Sequence, residues 1–190
     1  MTPFAKTHGN QTEESALIEQ SKKDPAAFGV LYDRYVDRIY GYALRETGSG
    51  AAAQDVTAAT FERALLHIRR FRATEKGIAP WLYRIARNEI VQQYRREKRL
   101  APLEHSPAEN LDQTERPIES TIAAGERQRS LYAALAQLSK ADRDVLTLRY
   151  LEQLPTEDVA NILECSRDNV YMRLHRALQR LRDLITPEEV

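Results

Sequence analysis

Residues 156–182 read TEDVANILECSRDNVYMRLHRALQRLR, and their spacing decides the fold of the C-terminal third. Val159, Ile162 and Leu163 recur at three- and four-residue steps, the inner face of a short helix over Glu157–Leu163. Val170, Leu174, Ala177, Leu178 and Leu181 do the same for a longer helix over Arg167–Ile185. Glu164-Cys165-Ser166 lies between them, with Ser166 as the natural N-cap. Two helices joined by so tight a break read as a helix-turn-helix, whose second helix lies in the DNA major groove. At about 100° per residue, the direction opposite Val170 holds Asp168, Asn169, Met172, Arg176 and Gln179. Asn and Gln can pair bidentately with adenine and Arg with guanine, while Met offers a thymine methyl an apolar contact. Arg173, Arg180 and Arg182 lie better for phosphate.

A second basic helix occupies Trp81–Arg99. Leu82, Ile85, Ala86 and Ile90 gather on one side, and Arg84, Arg87, Asn88, Val91 and Arg95 on the other. Asn88 is a poor helix former in mid-helix, so its place between arginines points to a polar contact made there. Tyr94-Arg95-Arg96 pairs an aromatic with cations, the combination single-stranded nucleic acid uses for stacking and backbone contact. Trp81 reads as core.

Whole-chain charge hides this pattern, because 28 Lys+Arg balance 28 Asp+Glu over 190 residues. From Arg69 to Arg99 there are ten Lys/Arg against three acids, and from Ser166 to Arg182 five Arg against one Asp. Between them, Leu100–Glu126 holds six acids against one Arg. Two positive surfaces separated by a negative tether suit a polyanion held at two places.

The rest of the chain reads as helix without strands, an all-α fold of two small helical domains. Residues 1–14 are expected to be a disordered polar tail. Residues 15–99 form the first domain. In it Asp24-Pro25 starts a helix carrying Phe28, Leu31, Tyr32, Tyr35, Ile39 and Tyr42. That helix stops at Gly48-Ser49-Gly50. A second, from Ala51 to Arg70, has Val56, Phe61, Leu65 and Ile68 as apolar members. Arg72–Gly77 is a loop, and Pro80 opens the basic helix. Residues 100–126, with three prolines among acids, read as a flexible linker. Residues 127–186 form the helix-turn-helix domain, with Leu131, Leu135 and Leu138 on one helix and Val145, Leu146, Leu148 and Leu151 on the next.

These residues together resemble a known family. Asp55-Val56 with Thr60-Phe61, then Pro80–Asn88, then Tyr94-Arg95-Arg96, are similar to region 2 of bacterial RNA polymerase sigma factors. Leu138–Tyr150, Asp158-Val159-Ala160 and Val170–Ala177 are similar to region 4. Nothing between them is long enough for region 3, the two-domain form of the extracytoplasmic-function class. The resemblance implies an alternative initiation factor that binds core RNA polymerase, recognises −10 and −35 promoter elements and promotes DNA melting. Gln54, Asp55, Thr60 and Phe61 would then face the clamp helices of the largest polymerase subunit. Phe71, Arg72, Lys76, Arg84, Arg87, Asn88, Tyr94, Arg95 and Arg96 would hold the single-stranded −10 element. Arg167, Asn169, Tyr171, Met172, Arg173, His175, Arg176 and Arg180 would meet the duplex −35 element, and region 4 would touch the flap of the second-largest subunit. The acidic linker would thread the basic channel later taken by RNA, and an anti-sigma factor would mask the binding faces. The chain departs from the family's pattern at Glu164, where Gly is common, at Asp168-Asn169 and Tyr171-Met172, and at Gln54, which replaces an acid.

Other classes fit less well. Four histidines, none set with carboxylates at ligand spacing, and no glycine-rich phosphate loop give no constellation for catalysis, a metal or a cofactor. A free-standing helix-turn-helix regulator would account for the C-terminal domain but leave the Arg–Asn face of Trp81–Arg99 unexplained. A single cysteine, Cys165, allows no internal disulfide, and no apolar stretch approaches the ~20 residues that span a bilayer. A cytoplasmic protein without membrane insertion is expected, with no regulatory domain after the recognition helix.

Overall fold

The computed structural model describes residues 8–74, 76–100, 133–135 and 137–185. The chain divides into two compact units, Met1–Thr114 and Glu115–Val190. The expected linker, Leu100 apart, and Leu131 lie outside the described residues. Every described element is helical.

The first unit consists of α1 (His8–Ser21), α2 (Pro25–Thr47), α3 (Gly50–His67), a 3-10 turn (Ile68–Arg70) and α4 (Ala79–Leu100). The sequence sets most of these boundaries chemically. Asp24 has extended backbone, and its carboxylate accepts the Ala26 N–H at 2.9 Å, while Pro25 fills the first helical position. Gly48 ends α2 at φ 68°, a left-handed value that glycine adopts without penalty, and its N–H reaches Leu44 O at 2.9 Å. Ser49 then caps α3 through the Ala52 N–H at 3.4 Å.

Phe28, Leu31, Tyr35, Ile39 and Tyr42 of α2 are buried with Ala53, Val56, Phe61 and Ala64 of α3 and Leu82, Tyr83, Ala86 and Ile90 of α4. Small residues on α3 let its neighbours approach, and aromatics fill the rest edge-to-face. Tyr42 and Tyr83 lie 5.4 Å apart between ring centroids, Phe28 and Phe61 6.5 Å. Truncating the fully buried Tyr83 to alanine would cost roughly 3–5 kcal/mol by analogy with other buried aromatics.

The expected tail is corrected over residues 8–14, which belong to α1, a helix that carries the fully buried Ile18 further on; residues 1–7 lie outside the described residues. Leu65, read as core, is 42% exposed, and Tyr32 is 41% exposed although its ring packs edge-on to Phe61 at 4.7 Å. Trp81, also read as core, is only half-buried and stacks on Phe71 instead, with centroids 4.6 Å apart and planes at 29°.

The second unit holds helical residues at 133–135 and 137, then α5 (Lys140–Leu146), a π-turn (Thr147–Leu151), α6 (Thr156–Ile162) and α7 (Arg167–Ile185). Val145, Leu148, Leu154, Val159, Ile162, Val170, Leu174 and Ala177 form its core. The π-turn replaces the plain helix expected there. Its extra residue rotates Leu151 off the buried stripe, leaving it 43% exposed. Leu178, expected inside, is 41% exposed, because it lies about 80° round the helix from Val170 at ~100° per residue.

Candidate nucleic-acid interfaces

In the first unit, α4 separates its two faces cleanly. Leu82, Tyr83, Ala86, Glu89 and Ile90 are buried, while Arg84, Asn88, Tyr94, Arg95 and Arg96 are exposed and Arg87 is half-buried. The buried Glu89 carboxylate would offset this positive face were it not engaged. Arg63 of α3 holds it at 2.7 Å, and Arg63 also donates to the Gln92 side chain at 3.3 Å. Arg84, Arg95 and Arg96 are thus exposed on the outer face with the neutral amide of Asn88, and Arg87 is half-buried beside them. Arg72 and Lys76 are exposed on the preceding loop, beside the half-buried Phe71–Trp81 stack. Tyr94, 47% exposed, adds a second aromatic surface.

Gln54 and Asp55 are exposed in the first turns of α3. Thr60 and Phe61, which the resemblance grouped with them, are buried at 0% and 4% exposure. The Thr60 hydroxyl donates to Val56 O at 2.7 Å, and Phe61 packs against Phe28 and Tyr32. These two residues shape the surface from beneath and cannot touch a partner. Val30 and Leu66 escape the apolar pattern read in the sequence, which has Tyr32 and Leu65 as apolar members of their helices. Val30 and Tyr32 on α2, and Leu65 and Leu66 on α3, are large apolar side chains left exposed on packed helices.

In the second unit the turn before α7 closes as the sequence suggested. Glu164 takes φ 53°, the Cys165 N–H donates to Ala160 O at 3.0 Å, and Leu163 N–H to Val159 O at 2.9 Å. Ser166 Oγ caps α7 by accepting the Asn169 N–H at 3.2 Å. Tyr171, Met172, His175 and Arg176 are exposed and line one open recess on the helix surface. Arg176 Nε leans back on Met172 O at 3.4 Å, a weak contact that leaves the guanidinium edge free to swing outward. Hydrogen bonding to the Thr156 side chain first, and to Arg167 second, lowers the pKa of the Tyr171 hydroxyl from its ordinary value. Arg167 is exposed, while Asn169 and Arg173 are half-buried.

Arg180, expected at phosphate, also has a partner within the fold, although its side chain stays 56% exposed. Its guanidinium is paired with the buried Asp142 carboxylate of α5. The pair fastens α7 to α5, two elements that pack together. Asp142 lies 38 residues earlier, so no local pattern could disclose this use of the arginine.

Residues 31–100 match the family model described as Sigma-70 region 2, and residues 128–181 that of Sigma-70, region 4. The ECF RNA polymerase sigma factor SigL of Mycobacterium tuberculosis is 33% identical over 182 residues, covering 94% of each chain. This chain belongs to the extracytoplasmic-function class of RNA polymerase sigma factors. The ECF sigma factor BldN of Streptomyces coelicolor is 30% identical over 172 residues, 89% of this chain, which spans 64% of BldN's length. The sigma factor RpoE of Bartonella quintana, solved with the anti-sigma factor NepR, shares the fold at a TM-score of 0.66 and 20% identity. That match covers 85% of this chain and 98% of RpoE. As a sigma factor the protein is an alternative transcription initiation factor. Among the described residues no helix is long and apolar enough to cross a membrane.

Proposed function

We propose that this sigma factor brings core RNA polymerase to promoters whose −10 element it captures as single strand and whose −35 element it reads as duplex. The observation that carries the reading is the pair of outward cationic faces on separately folded units, each with its opposite face committed to a core. On α4, Arg84, Arg95 and Arg96 track backbone phosphates, and Asn88 hydrogen-bonds a base turned out of the stack. Extruding a base costs a few kcal/mol, which stacking and hydrogen bonds in the pocket must return. Phe71, Trp81 and Tyr94 supply aromatic surface there, at ~1–3 kcal/mol per stacked base. On α7, Arg176 and Met172 read base edges beside Tyr171 and His175, while Arg167 and Arg173 hold phosphates.

Core polymerase docks on the α2–α3 surface, where Gln54 and Asp55 supply polar contacts and Tyr32, Leu65 and Leu66 apolar ones. Exposed apolar side chains also suit an anti-sigma factor, which would silence the protein by covering them. The basic faces give binding a steep salt dependence, since each phosphate neutralised releases counterion.

The test is addition of the chain to core polymerase on genomic DNA, with the transcripts sequenced. New start sites sharing −10 and −35 sequences support the reading. Transcripts unchanged by its addition overturn it.

A further inference from the structure

The −10 loop just proposed is anchored by a residue far from it in sequence. Glu14, in α1, places one carboxylate between three elements. Its Oε1 accepts the backbone N–H of Ile78 at 2.9 Å, and its Oε2 accepts the Tyr35 hydroxyl of α2 at 3.0 Å. Arg34 Nη1 stands 3.8 Å from the same Oε2. Ile78 is fully buried and directly precedes α4, so its N–H is one of the donors a helix start leaves unsatisfied, and a negative acceptor there is favourable.

Gly77 is shaped to this contact twice over. Its φ is 70°, and a Cβ built there would stand 2.5 Å from Glu14 Oε1. Burial first, and the neighbouring carboxylate second, push the Tyr35 hydroxyl well above the usual tyrosine range, so it stays protonated and donates. The loop's other end is fixed by the Phe71–Trp81 stack, and Gly77 N–H closes the turn on Thr74 O at 3.0 Å. Lys76 and Arg72 project from the segment held between these anchors.

We propose that α1 acts through Glu14 as a latch that sets the 71–78 loop for capture of the extruded −10 base. Glu14 is then a positioning residue for promoter opening, touching neither DNA nor polymerase. The inference rests on the reading of this loop given above. It adds that the N-terminal helix, beyond the region matched by the family model, determines how well the loop works.

The test compares wild type with Glu14→Ala, Glu14→Gln and Tyr35→Phe on a promoter mapped from the protein's own transcripts. Three quantities are measured: affinity for core polymerase, permanganate reactivity of unpaired thymines, and hydrogen exchange at the Ile78 amide. Ångström-scale misplacement of a contacting group costs one to two orders of magnitude, so Glu14→Ala should slow opening about tenfold or more, with core affinity held within about twofold. Ile78 exchange should rise in parallel. Glu14→Gln and Tyr35→Phe, which each spare one of the two hydrogen bonds to the loop or to α2, should fall between Glu14→Ala and wild type. Opening undiminished in Glu14→Ala, with Ile78 exchange raised, overturns the latch alone. So does a loss of core affinity as large as the loss of opening in all three variants, which would mark a general role in the fold. Wild-type holoenzyme that melts no promoter would instead overturn the reading of the loop, and the latch with it.

Discussion

Replacing Glu164 with glycine should make the helix-turn-helix unit more stable. Glu164 is an L-residue at φ 53°, in the turn that orients α7, and its side chain is exposed. A non-glycine residue in this left-handed region costs roughly 1–2 kcal/mol, because Cβ crowds the following carbonyl. Glycine removes that crowding but has more freedom to lose on folding, which takes back about 0.5–1 kcal/mol. Taking the middle of each range, the net gain is about 0.75 kcal/mol. For a unit of this size, a change of 1 kcal/mol moves the melting midpoint by roughly 4–8 °C, so an upward shift of roughly 3–6 °C is expected. Calorimetry of the full chain reads the midpoint, and amide exchange at Val170 and Leu174 assigns it to this unit. Glu164→Ala is the control, since it removes the carboxylate and keeps the Cβ. Equal gains for alanine and glycine would refute the backbone argument and place the effect on the charge. No gain with glycine would show that the strain is no larger than the freedom glycine loses.

Asn88→Ala should reduce permanganate-reactive promoter in the holoenzyme and leave core affinity unchanged; an unaltered open-complex yield would remove Asn88 from base capture. Arg176→Ala should weaken binding to a −35 duplex by roughly 1–3 kcal/mol if it pairs bidentately with a base, and a uniform loss on all sequences would make it a phosphate contact. Arg180→Ala should act differently, lowering the thermal midpoint because Asp142 loses its partner, with little effect on which sequences are bound. Stability of the first unit should also fall in alkali. Tyr35 has a raised folded pKa, so its contribution is present below the ordinary value of 10.0 and is lost as pH climbs above it. Thermal midpoints of wild type and Tyr35→Phe, compared from neutral to alkaline pH, should show a smaller alkaline decline in the variant.

Features encoded by neighbouring residues were legible in the sequence. Ser166 marked the start of α7, Asp24-Pro25 that of α2, and Gly48 its end, because caps and left-handed stops act within one helical turn. The outward faces of α4 and α7 followed from periodicity alone. What escaped depends on partners brought together by folding. α1 is mostly polar, with Ile18 as its fully buried anchor, and Glu14 finds its partners 21 and 64 residues away. Arg180 looked like its neighbours on α7 until α5 supplied Asp142. Thr60 and Phe61 belong to the motif that the resemblance assigned to polymerase contact yet are buried, since a motif in sequence does not separate exposed residues from those that hold them up. Leu65, an apolar member of the α3 pattern, is 42% exposed, because apolar periodicity does not require every member to be covered.

The central claim is that α4 and α7 work on one promoter when polymerase holds both. It is tested most directly by footprinting a mapped promoter with core polymerase, with the chain, and with both together. Protection of the −35 duplex and permanganate reactivity at −10 should appear together, and only in the mixture. Strong sequence-specific protection by the chain alone, or a mixture that leaves −10 fully paired, would contradict it.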